Sequence, residues 1–459
     1  MPTQYDAIVI GTGQAGPSLA DRLARAGRKV AVLERTRFGG TCVNVGCIPT
    51  KTLVASARAI YVAGRGDEFG FTTAGPVRVD IRRVKARMDA IVRQSTEGVE
   101  RWMKKAANIT VYEGHGRLES PRTVRVNGQL LEADQIFLNV GARARVPDLA
   151  GLDETPFLTN SGILDLAVVP EHLIIVGGSY IGLEFAQIYR RFGSQVTVVE
   201  QGDRLIDRED DDVSATVREV LESEGVRFRL SATCVAVRRT TGGIAAGVDC
   251  TAGAPELEGT HLLLATGRRP NTDDLGLEAA GVATDPRGFI IVDDECQTNV
   301  PGIWALGECN GRGAFTHTAY HDFEVVAGRL LDADPRRIGD RISCYALYTD
   351  PPVGRVGMTS REARASGKRV LVGFRPMAKI GRAREMSETK GFMRVLVDAD
   401  TQRILGAVIF GVGGDEIVHS LLDVMYAKAP YTAVSRAVHI HPTISELIPT
   451  TLQELKPLA

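Results

Sequence analysis

The sequence predicts an α/β protein with two similar parallel-sheet units and a C-terminal α+β region. Three observations predict this fold class. A glycine-rich segment near the start of the chain recurs 166 residues later without a gap. Each copy reads as strand, turn, helix and strand, which is the pattern of a parallel βαβ unit. Near the end of the chain, two strand-like runs flank a turn at residues 398–401, and an amphipathic helix follows.

The composition is that of a globular chain. Its 459 residues predict about two to four domains. Lysine and arginine number 55 against 56 acidic residues, and this balance disfavours a nucleic-acid partner. No membrane partner is expected, because no apolar run reaches the ~18 residues that span a bilayer. With no visible signal peptide and too few cysteines for a disulfide scaffold, we expect a cytoplasmic location.

The first copy places a glycine-rich turn between two strand-like runs, residues 7–10 and 29–33. The glycines of this turn are Gly11, Gly13 and Gly16. Such glycines let the backbone approach a pyrophosphate, and the following helix N-terminus offers N–H groups to it. Glu34 follows the second run, where an acid accepts hydrogen bonds from ribose hydroxyls. The segment therefore predicts a dinucleotide-binding unit.

The second copy repeats this spacing in gapless register. Its turn residues are Gly177, Ser179 and Gly182. Glu200 takes the place of Glu34, and the small Ser179 replaces the middle glycine. The two units predict two Rossmann-like dinucleotide-binding domains, and two βαβ units without ligands are the alternative. Two dinucleotides in one chain indicate electron transfer, usually between nicotinamide and flavin.

Two cysteines, Cys42 and Cys47, lie five residues apart just after the first unit. Residues from Thr50 onward are predicted to form a helix. Five residues of regular helix advance about 7.5 Å, more than the ~4.4–6.8 Å between bridged Cα atoms. A disulfide therefore requires a break in the helix, which Gly46 and Pro49 permit. Structural thiols and a zinc site are the alternatives, although no second cysteine pair completes a zinc site.

The motif around these cysteines, GGTCVNVGCIPTK, resembles the redox-active motif of the class I pyridine nucleotide–disulfide oxidoreductases. That family includes lipoamide dehydrogenase, glutathione reductase and mercuric reductase. Three further segments extend the resemblance over nearly the whole chain: ATGRRPN, PGIWALGECNGRGAFTH and HPTISE. The resemblance implies that NAD(P)H reduces a bound FAD, that the flavin reduces a Cys42–Cys47 disulfide, and that the thiols reduce a substrate.

The resemblance also implies a division into domains. Residues 1–145, continued by 267–340, would bind FAD. Residues 146–266 would bind the nicotinamide dinucleotide, and residues 341–459 would form an interface domain. A homodimer is implied, with an active site shared between its two chains.

Catalytic roles follow from the matching motifs. Cys47 resembles the thiol that contacts the flavin, and Cys42 resembles the thiol that attacks the substrate. Lys51 is similar to the family lysine near the reactive edge of the flavin, and Glu184 to the acid that pairs with it. Tyr180 is similar to the aromatic gate where the nicotinamide stacks.

The implied cofactor-binding residues fall in the same motifs. They are Gly11, Gly13, Gly16, Glu34, Gly40, Thr41, Lys51, Gly141, Gly177, Ser179, Gly182, Glu200, Gly267, Gly307, Glu308, Thr316 and His317. Glu308 stands where the family has an Asp for the flavin ribityl chain, so its side chain is one methylene longer. His317 and His321 would face one metal if helical, but a helix start beside the flavin is preferred for His317, and no metal site is predicted.

The motif HPTISE supplies a candidate acid–base pair. A disulfide reductase needs a base for the attacking thiol and an acid for the leaving thiol, and histidine suits both roles near neutral pH. A carboxylate on the other ring nitrogen fixes the tautomer. His441 and Glu446 fit this arrangement, and in the family the matching histidine reaches the thiols of the partner subunit. For His439 a role outside catalysis is preferred.

The substrate stays open. The sequence resembles mercuric-reductase-like sequences, but its last cysteine is Cys344, so the C-terminal cysteine pair of those enzymes is missing, as is an N-terminal metal-binding domain. Lipoamide, another small disulfide, a thiol-reactive oxidant and a metal ion are the candidates. A subunit of a multienzyme complex is the alternative to an independent enzyme. Glu200 predicts NADH rather than NADPH, while Arg204 nearby favours the reverse.

Overall fold

A computed structural model describes residues 1–250, 253 and 255–458. The strands are β1 Thr3–Ile10, β2 Val30–Glu34, β3 Ile109–Glu113, β4 Arg117–Ser120, β5 Thr123–Val126, β6 Gln129–Leu138, β7 Ala142–Ala144, β8 His172–Val176, β9 Gln195–Val199, β10 Val226–Arg229, β11 Ala232–Thr240, β12 Gly243–Cys250, β13 Glu256–Gly259, β14 His261–Leu264, β15 Arg268–Pro270, β16 Ile303–Ala305, β17 Cys344–Leu347, β18 Val353–Gly357, β19 Val370–Pro376, β20 Phe392–Asp398, β21 Ile404–Phe410 and β22 Lys456–Pro457.

The helices alternate with these strands through most of the chain. They are α1 Gly16–Arg25, α2 Gly40–Val45, α3 Cys47–Gly64, α4 Ile81–Lys105, α5 Tyr180–Phe192, α6 Asp211–Ser223, α7 Thr316–Ala327, α8 Ser360–Ala365, α9 Gly381–Glu385, α10 Gly414–Ile417, α11 His419–Tyr426, α12 Thr432–Ser435 and α13 Leu447–Gln453. Short 3-10 and π turns lie at Gly66–Phe69, Leu152–Glu154, Gly162–Asp165, Gly307–Asn310, Gly328–Asp332, Ile338–Asp340 and Met377–Lys379. Among the described residues, no helix is both long and apolar enough to cross a membrane.

The chain divides into two compact units. The first combines Met1–Thr52, Arg83–Val146 and Thr266–Arg341. The second combines Leu53–Arg82, Pro147–Ala265 and Ile342–Ala459. The three-domain division by cofactor stays a prediction.

The first unit is built on a mostly parallel sheet in the order β3-β2-β1-β6-β5-β4, with β16 also paired to β6. The strands β3, β2, β1, β6 and β16 are parallel, and β5 is antiparallel to β6. Helix α1 packs Leu19 and Leu23, both fully buried, into the core on one sheet face. The apolar residues of β1 and β2 are buried because both faces of a parallel sheet are covered.

The second unit contains a smaller parallel sheet in the order β10-β9-β8-β14, flanked by the antiparallel meander β11-β12-β13. Helix α5 follows β8 and buries most of its residues. In the parallel sheet, β8, α5 and β9 repeat the strand–turn–helix–strand arrangement of β1, α1 and β2. The α/β fold class predicted from the sequence is confirmed.

The C-terminal part of the second unit is an antiparallel sheet in the order β17-β18-β21-β20-β19-β22. The predicted strand pair corresponds to β20 and β21, and Asp398 receives backbone N–H bonds from Asp400 and Thr401 at the predicted turn. The predicted amphipathic helix forms as α10 and α11. Leu421 and Ile448, from α11 and α13, are fully buried in the same core cluster.

Candidate active site

The first glycine-rich turn accepts no larger residue. Gly11 has φ +103°, and a Cβ added there would lie 2.3 Å from the Asn139 carbonyl oxygen. A Cβ on Gly16 would lie 2.2 Å from the Gly11 oxygen, and one on Gly13 would lie 2.9 Å from Asn139 Oδ1. Asn139 also accepts the Gly16 N–H at 2.9 Å and donates to the Leu306 oxygen at 2.9 Å. Asn139 was not predicted from the sequence. It connects the turn to Leu306 in the segment PGIWALGECNGRGAFTH.

The two ribose-type acids are held in the same way. Glu34 accepts the N–H groups of Thr12 at 3.0 Å and Thr36 at 2.9 Å. Glu200 accepts the N–H groups of Gly178 at 2.6 Å and Gly202 at 2.8 Å. Each donor in the second unit lies 166 residues after its counterpart, so the sequence repeat extends to the hydrogen bonds. Both carboxylates are thereby fixed beside a dinucleotide turn.

Ser179 is compatible with its place in the second turn. It is the residue before α5 and has an extended backbone with φ −106°, which any L-residue adopts. The two glycines of the same turn have no room for a side chain. A Cβ on Gly177 would lie 2.4 Å from the Ala265 oxygen, and one on Gly182 would lie 2.0 Å from the Gly177 oxygen. The departure from glycine therefore falls at the position that tolerates it.

Other predicted glycines leave the backbone open for a cofactor. Gly141 and Gly267 have φ +63° and +107°, and a Cβ at either would meet no atom within 4 Å. Gly40 approaches the first turn so closely that its Cβ would lie 2.8 Å from the Gly13 Cα. Thr41 follows Gly40 within α2. These glycines, together with Glu34 and Glu200, fit two dinucleotides. The first unit would hold FAD and the second NAD(P).

Glu308 joins two segments of the first unit that carry the family resemblance, PGIWALGECNGRGAFTH and ATGRRPN. Its Oε1 accepts from Arg268 Nε at 2.5 Å, and Arg268 Nη2 donates to the Ala142 oxygen at 2.5 Å. Both charged side chains are largely buried. The preceding Gly307 has φ +77° and donates its N–H to the buried Asp322 at 2.8 Å. The longer side chain of Glu308 is therefore held by a specific cation of the ATGRRPN motif.

The cysteine pair spans a break between two helices. Cys42 lies in α2, Gly46 leaves helical geometry with φ −136° and ψ −116°, and Cys47 begins α3. The predicted break at Gly46 is confirmed. The predicted helix start at Thr50 is wrong by three residues, because Pro49 is tolerated in the first turn, where N–H groups lack helical partners. Both cysteines are thiols in this structure, and the disulfide between them stays a prediction.

The charge on the pair is placed asymmetrically. A hydrogen bond with the Cys47 sulfur, burial and the charge on Cys47 raise the pKa of the Cys42 thiol well above its ordinary value. Thr316, the first residue of α7, has its Oγ1 3.3 Å from Cys47 Sγ. A hydroxyl and a helix N-terminus both stabilise a thiolate. Thr316 also lowers the pKa of Cys42, but the other effects are larger, so the arrangement favours a proton on Cys42.

The remaining predicted groups lie on three helices, on α3 and α7 within the first unit and on α5 in the second. Lys51 follows Cys47 on α3, and the His317 ring stacks on Phe315 at 5.4 Å at the start of α7. On α5, Glu184 is buried and accepts the Tyr348 N–H at 3.1 Å. The pairing of Lys51 with Glu184 stays a prediction.

The C-terminal histidine forms the predicted dyad. His441 Nδ1 lies 2.9 Å and 3.1 Å from the two oxygens of Glu446. The carboxylate thus engages one ring nitrogen and leaves Nε2 for proton transfer. The His441 side chain is 81% exposed, and Val438 and Ile440 nearby are 100% and 80% exposed. The dyad therefore lies beside an exposed apolar surface.

Two dinucleotide sheets, a cysteine pair at a helix start and a histidine–glutamate dyad define a flavin-linked disulfide oxidoreductase. Residues 5–322 match the pyridine nucleotide-disulphide oxidoreductase family, and residues 343–452 match its dimerisation domain, so the chain belongs to this family. It is 35% identical to the probable pyridine nucleotide-disulfide oxidoreductase RclA of Escherichia coli, over 96% of this chain and 97% of that protein. It is 34% identical to a dihydrolipoyl dehydrogenase of Cupriavidus necator, over 98% and 97%.

A solved structure is similar throughout. It is the HOCl-induced flavoprotein disulfide reductase RclA from Escherichia coli, with a TM-score of 0.90 and 34% identity over 98% of this chain and all of that one. The protein is therefore an FAD- and NAD(P)H-dependent disulfide reductase, and its dimerisation domain supports a homodimer. The similarity to mercuric reductases stays a prediction.

Proposed function

We propose that this protein is a homodimeric, cytoplasmic enzyme that uses NADH to reduce a small disulfide or thiol-reactive substrate at Cys42 and Cys47. The observation that carries the proposal is the asymmetric thiol pair at the start of α3, beside Thr316. Bound FAD supplies the two-electron carrier between the nicotinamide and these sulfurs. A cytoplasmic location suits a pair that must cycle through the reduced form.

The protein's own groups then carry the thiol chemistry. His441, oriented by Glu446, removes the Cys42 proton, and the Cys42 thiolate attacks one sulfur of the substrate. The substrate S–S bond breaks, a mixed disulfide forms, and the leaving thiolate takes the proton back from His441. The Cys47 thiolate attacks Cys42 in the mixed disulfide and releases the second substrate sulfur as a thiolate, which takes a proton from solvent. Two electrons have then passed to the substrate, and Cys42 and Cys47 are a disulfide.

The partner subunit supplies His441 in this scheme. The dyad is exposed in the single chain, and the apolar Val438 and Ile440 beside it are suited to burial by a second copy. With FAD bound, Lys51 would stabilise negative charge on the flavin ring, and Glu184 would be its partner. Tyr180 gates the nicotinamide side.

A second candidate activity is the reduction of copper(II). The RclA structures include a copper(II) complex, with a TM-score of 0.90 to this chain. A reduced cysteine pair could pass one electron to each of two copper ions and become a disulfide. The dihydrolipoyl dehydrogenase relatives favour lipoamide as one of the small disulfides.

A substrate panel tests the proposal. We expect NADH oxidation with at least one of lipoamide, small linear disulfides, oxidised thiol products of HOCl, or copper(II). The activity should be lost in Cys42→Ser but retained in Cys234→Ala, which changes a buried thiol in β11. NADH oxidation that survives Cys42→Ser, or that requires an added protein partner, contradicts the proposal.

The cofactor preference is a separate expected result. Glu200 is fixed by two backbone N–H groups, and Arg204, the cation that would accept a 2′-phosphate, is paired with Asp207 at 2.8 Å and with Asp211. We expect kcat/KM to favour NADH by about tenfold or more, since losing one charge-assisted hydrogen bond costs about 1.5–3 kcal/mol. Steady-state rates with each cofactor measure it. Glu200→Ala should reduce the ratio of kcat/KM for NADH to kcat/KM for NADPH. A clear advantage for NADPH in the unaltered protein contradicts the predicted preference for NADH.

A further inference from the structure

Tyr345 joins three parts of the second unit. It lies on β17, and its ring packs edge-on against Tyr180, the first residue of α5, with ring centroids 5.6 Å apart. Its hydroxyl donates to the carboxylate of Glu209. On the neighbouring strand β18, Arg355 is its direct cross-strand partner and binds the same carboxylate. The C-terminal sheet therefore contacts both the proposed gate and the segment that contains Glu209.

That segment, residues 201–210, packs against the second glycine-rich turn, which contains Gly177 and Gly178. The Gly202 N–H donates to Glu200, and the Ile206 N–H donates to the Gly178 oxygen at 3.1 Å. Leu205 is fully buried, and a Cβ on Gly178 would lie 2.8 Å from its Cδ2. The position of the segment therefore sets the position of the acid and of the turn that would hold a dinucleotide.

The far end of the segment is anchored by buried charges. Glu209 and Arg355 are each 1% exposed, and Arg355 Nε lies 3.2 Å from Glu209 Oε1. The next residue, Asp210, accepts the Ser360 N–H at 3.0 Å and Arg394 Nη2 at 2.7 Å. A buried ion pair is stabilising only when its remaining lone pairs are hydrogen-bonded. Burial and the charge of Glu209 raise the pKa of the Tyr345 hydroxyl, so it stays protonated and completes that set of donors.

We propose that Tyr345 is a positioning residue for the nicotinamide half of the reaction. Its hydroxyl fixes the 201–210 segment through Glu209, and its ring sets where Tyr180 rests. The hydroxyl governs how tightly the dinucleotide is held, and the ring governs how well the gate is placed for hydride transfer. The second of these rests on the gate role given to Tyr180 in the proposed function.

Two substitutions separate the hydroxyl from the ring. Tyr345→Phe keeps the ring contact with Tyr180 and removes the hydrogen bonds of the hydroxyl, to Glu209 and to the Tyr180 side chain. We expect the dissociation constant of NADH to rise about fivefold, which is part of the free energy of a charge-assisted hydrogen bond. The limiting rate of flavin reduction should fall less than about twofold, because the ring that packs against Tyr180 is still present. Tyr345→Leu removes both, so the limiting rate should also fall, by about tenfold. Anaerobic stopped-flow reduction of the holoenzyme over a range of NADH concentrations measures both quantities.

The matched control is Tyr189→Phe. Tyr189 is a buried tyrosine on α5 whose hydroxyl donates to the Ile163 oxygen at 2.8 Å, away from the 201–210 segment. It should leave NADH binding and flavin reduction unchanged. In all three variants, chemically reduced enzyme should be reoxidised by a disulfide at the unaltered rate, because neither Tyr345 nor Tyr189 takes part in the proposed thiol chemistry.

Equilibrium titration with NAD⁺ gives a readout that requires no turnover. It should show the same weakening in Tyr345→Phe even if no disulfide substrate is found, so failure of the proposed function is distinguished from failure of this inference. Flavin content and melting temperature identify any variant that does not fold. If Tyr345→Leu does not fold, the result with Tyr345→Phe decides whether the proposal holds. Unchanged NADH and NAD⁺ binding in Tyr345→Phe, or equal weakening in Tyr189→Phe, overturns the proposal.

Discussion

Serine in place of Cys47 is expected to abolish disulfide turnover and to remove the long-wavelength absorption of the two-electron-reduced enzyme. Cys47 begins α3, beside Thr316 at the start of α7, where a thiolate is stabilised. A thiolate next to the flavin donates charge to the ring, which produces the absorption. A serine hydroxyl is neutral and forms no disulfide. Turnover should fall by at least about a thousandfold, the scale of losing an essential nucleophile.

Cys42→Ser should separate the two effects. Cys42 is the thiol whose pKa is raised, by its hydrogen bond with Cys47 and by burial, so this variant loses the protonated partner and keeps Cys47 beside Thr316. The variant should therefore retain the absorption band while disulfide turnover ends. Anaerobic titration with NADH, followed by absorption spectra, measures the band, and Cys234→Ala is the control. A Cys47→Ser enzyme that still shows the band and reduces disulfides would reverse the assignment.

The dinucleotide turns were predictable from the sequence because their glycines obey local steric limits. Gly11 and Gly177 both need positive φ and both face a carbonyl oxygen at a distance that excludes a Cβ. Such limits require glycine at these positions, and the spacing between the glycines is fixed by the geometry of the turn. The same is true of Gly46, whose backbone leaves the helix between the two cysteines. Where one residue type alone fits, one sequence suffices to find it.

The partners of those turns were not predictable, because they come from distant parts of the chain. Asn139 accepts from Gly16, 123 residues away, and no periodic pattern marks a single asparagine at a strand end. Glu209 and Arg355 are 146 residues apart, and each alone resembles a solvated surface charge. Their burial follows from the pairing of β17 with β18 and from the path of residues 201–210. Tertiary contacts of this kind decide the surroundings of the site, while local rules decide its glycines and cysteines.

His441 is expected to act on the cysteines of the partner subunit. Its ring is oriented by Glu446 at 2.9 Å, yet the side chain is 81% exposed in the single chain. In the proposed function a second copy of the chain covers this dyad and brings its own thiols within reach of His441. Alanine in place of His441 should therefore lower disulfide turnover by about 10²–10⁴-fold, the range for a lost general acid–base group. NADH-dependent flavin reduction in the same variant should continue.

Mixed dimers test whether the site is shared. A Cys42→Ser chain and a His441→Ala chain are each nearly inactive as homodimers, but their mixed dimer combines His441 of the first chain with the intact thiols of the second. One site in that dimer is complete, so mixing under conditions that allow subunit exchange should restore up to half of the activity per dimer. Differently tagged chains, purified through both tags, establish that exchange has occurred. Exchange without recovery rejects the shared site, as does full activity in a monomeric variant, because His441 would then serve the cysteines of its own chain.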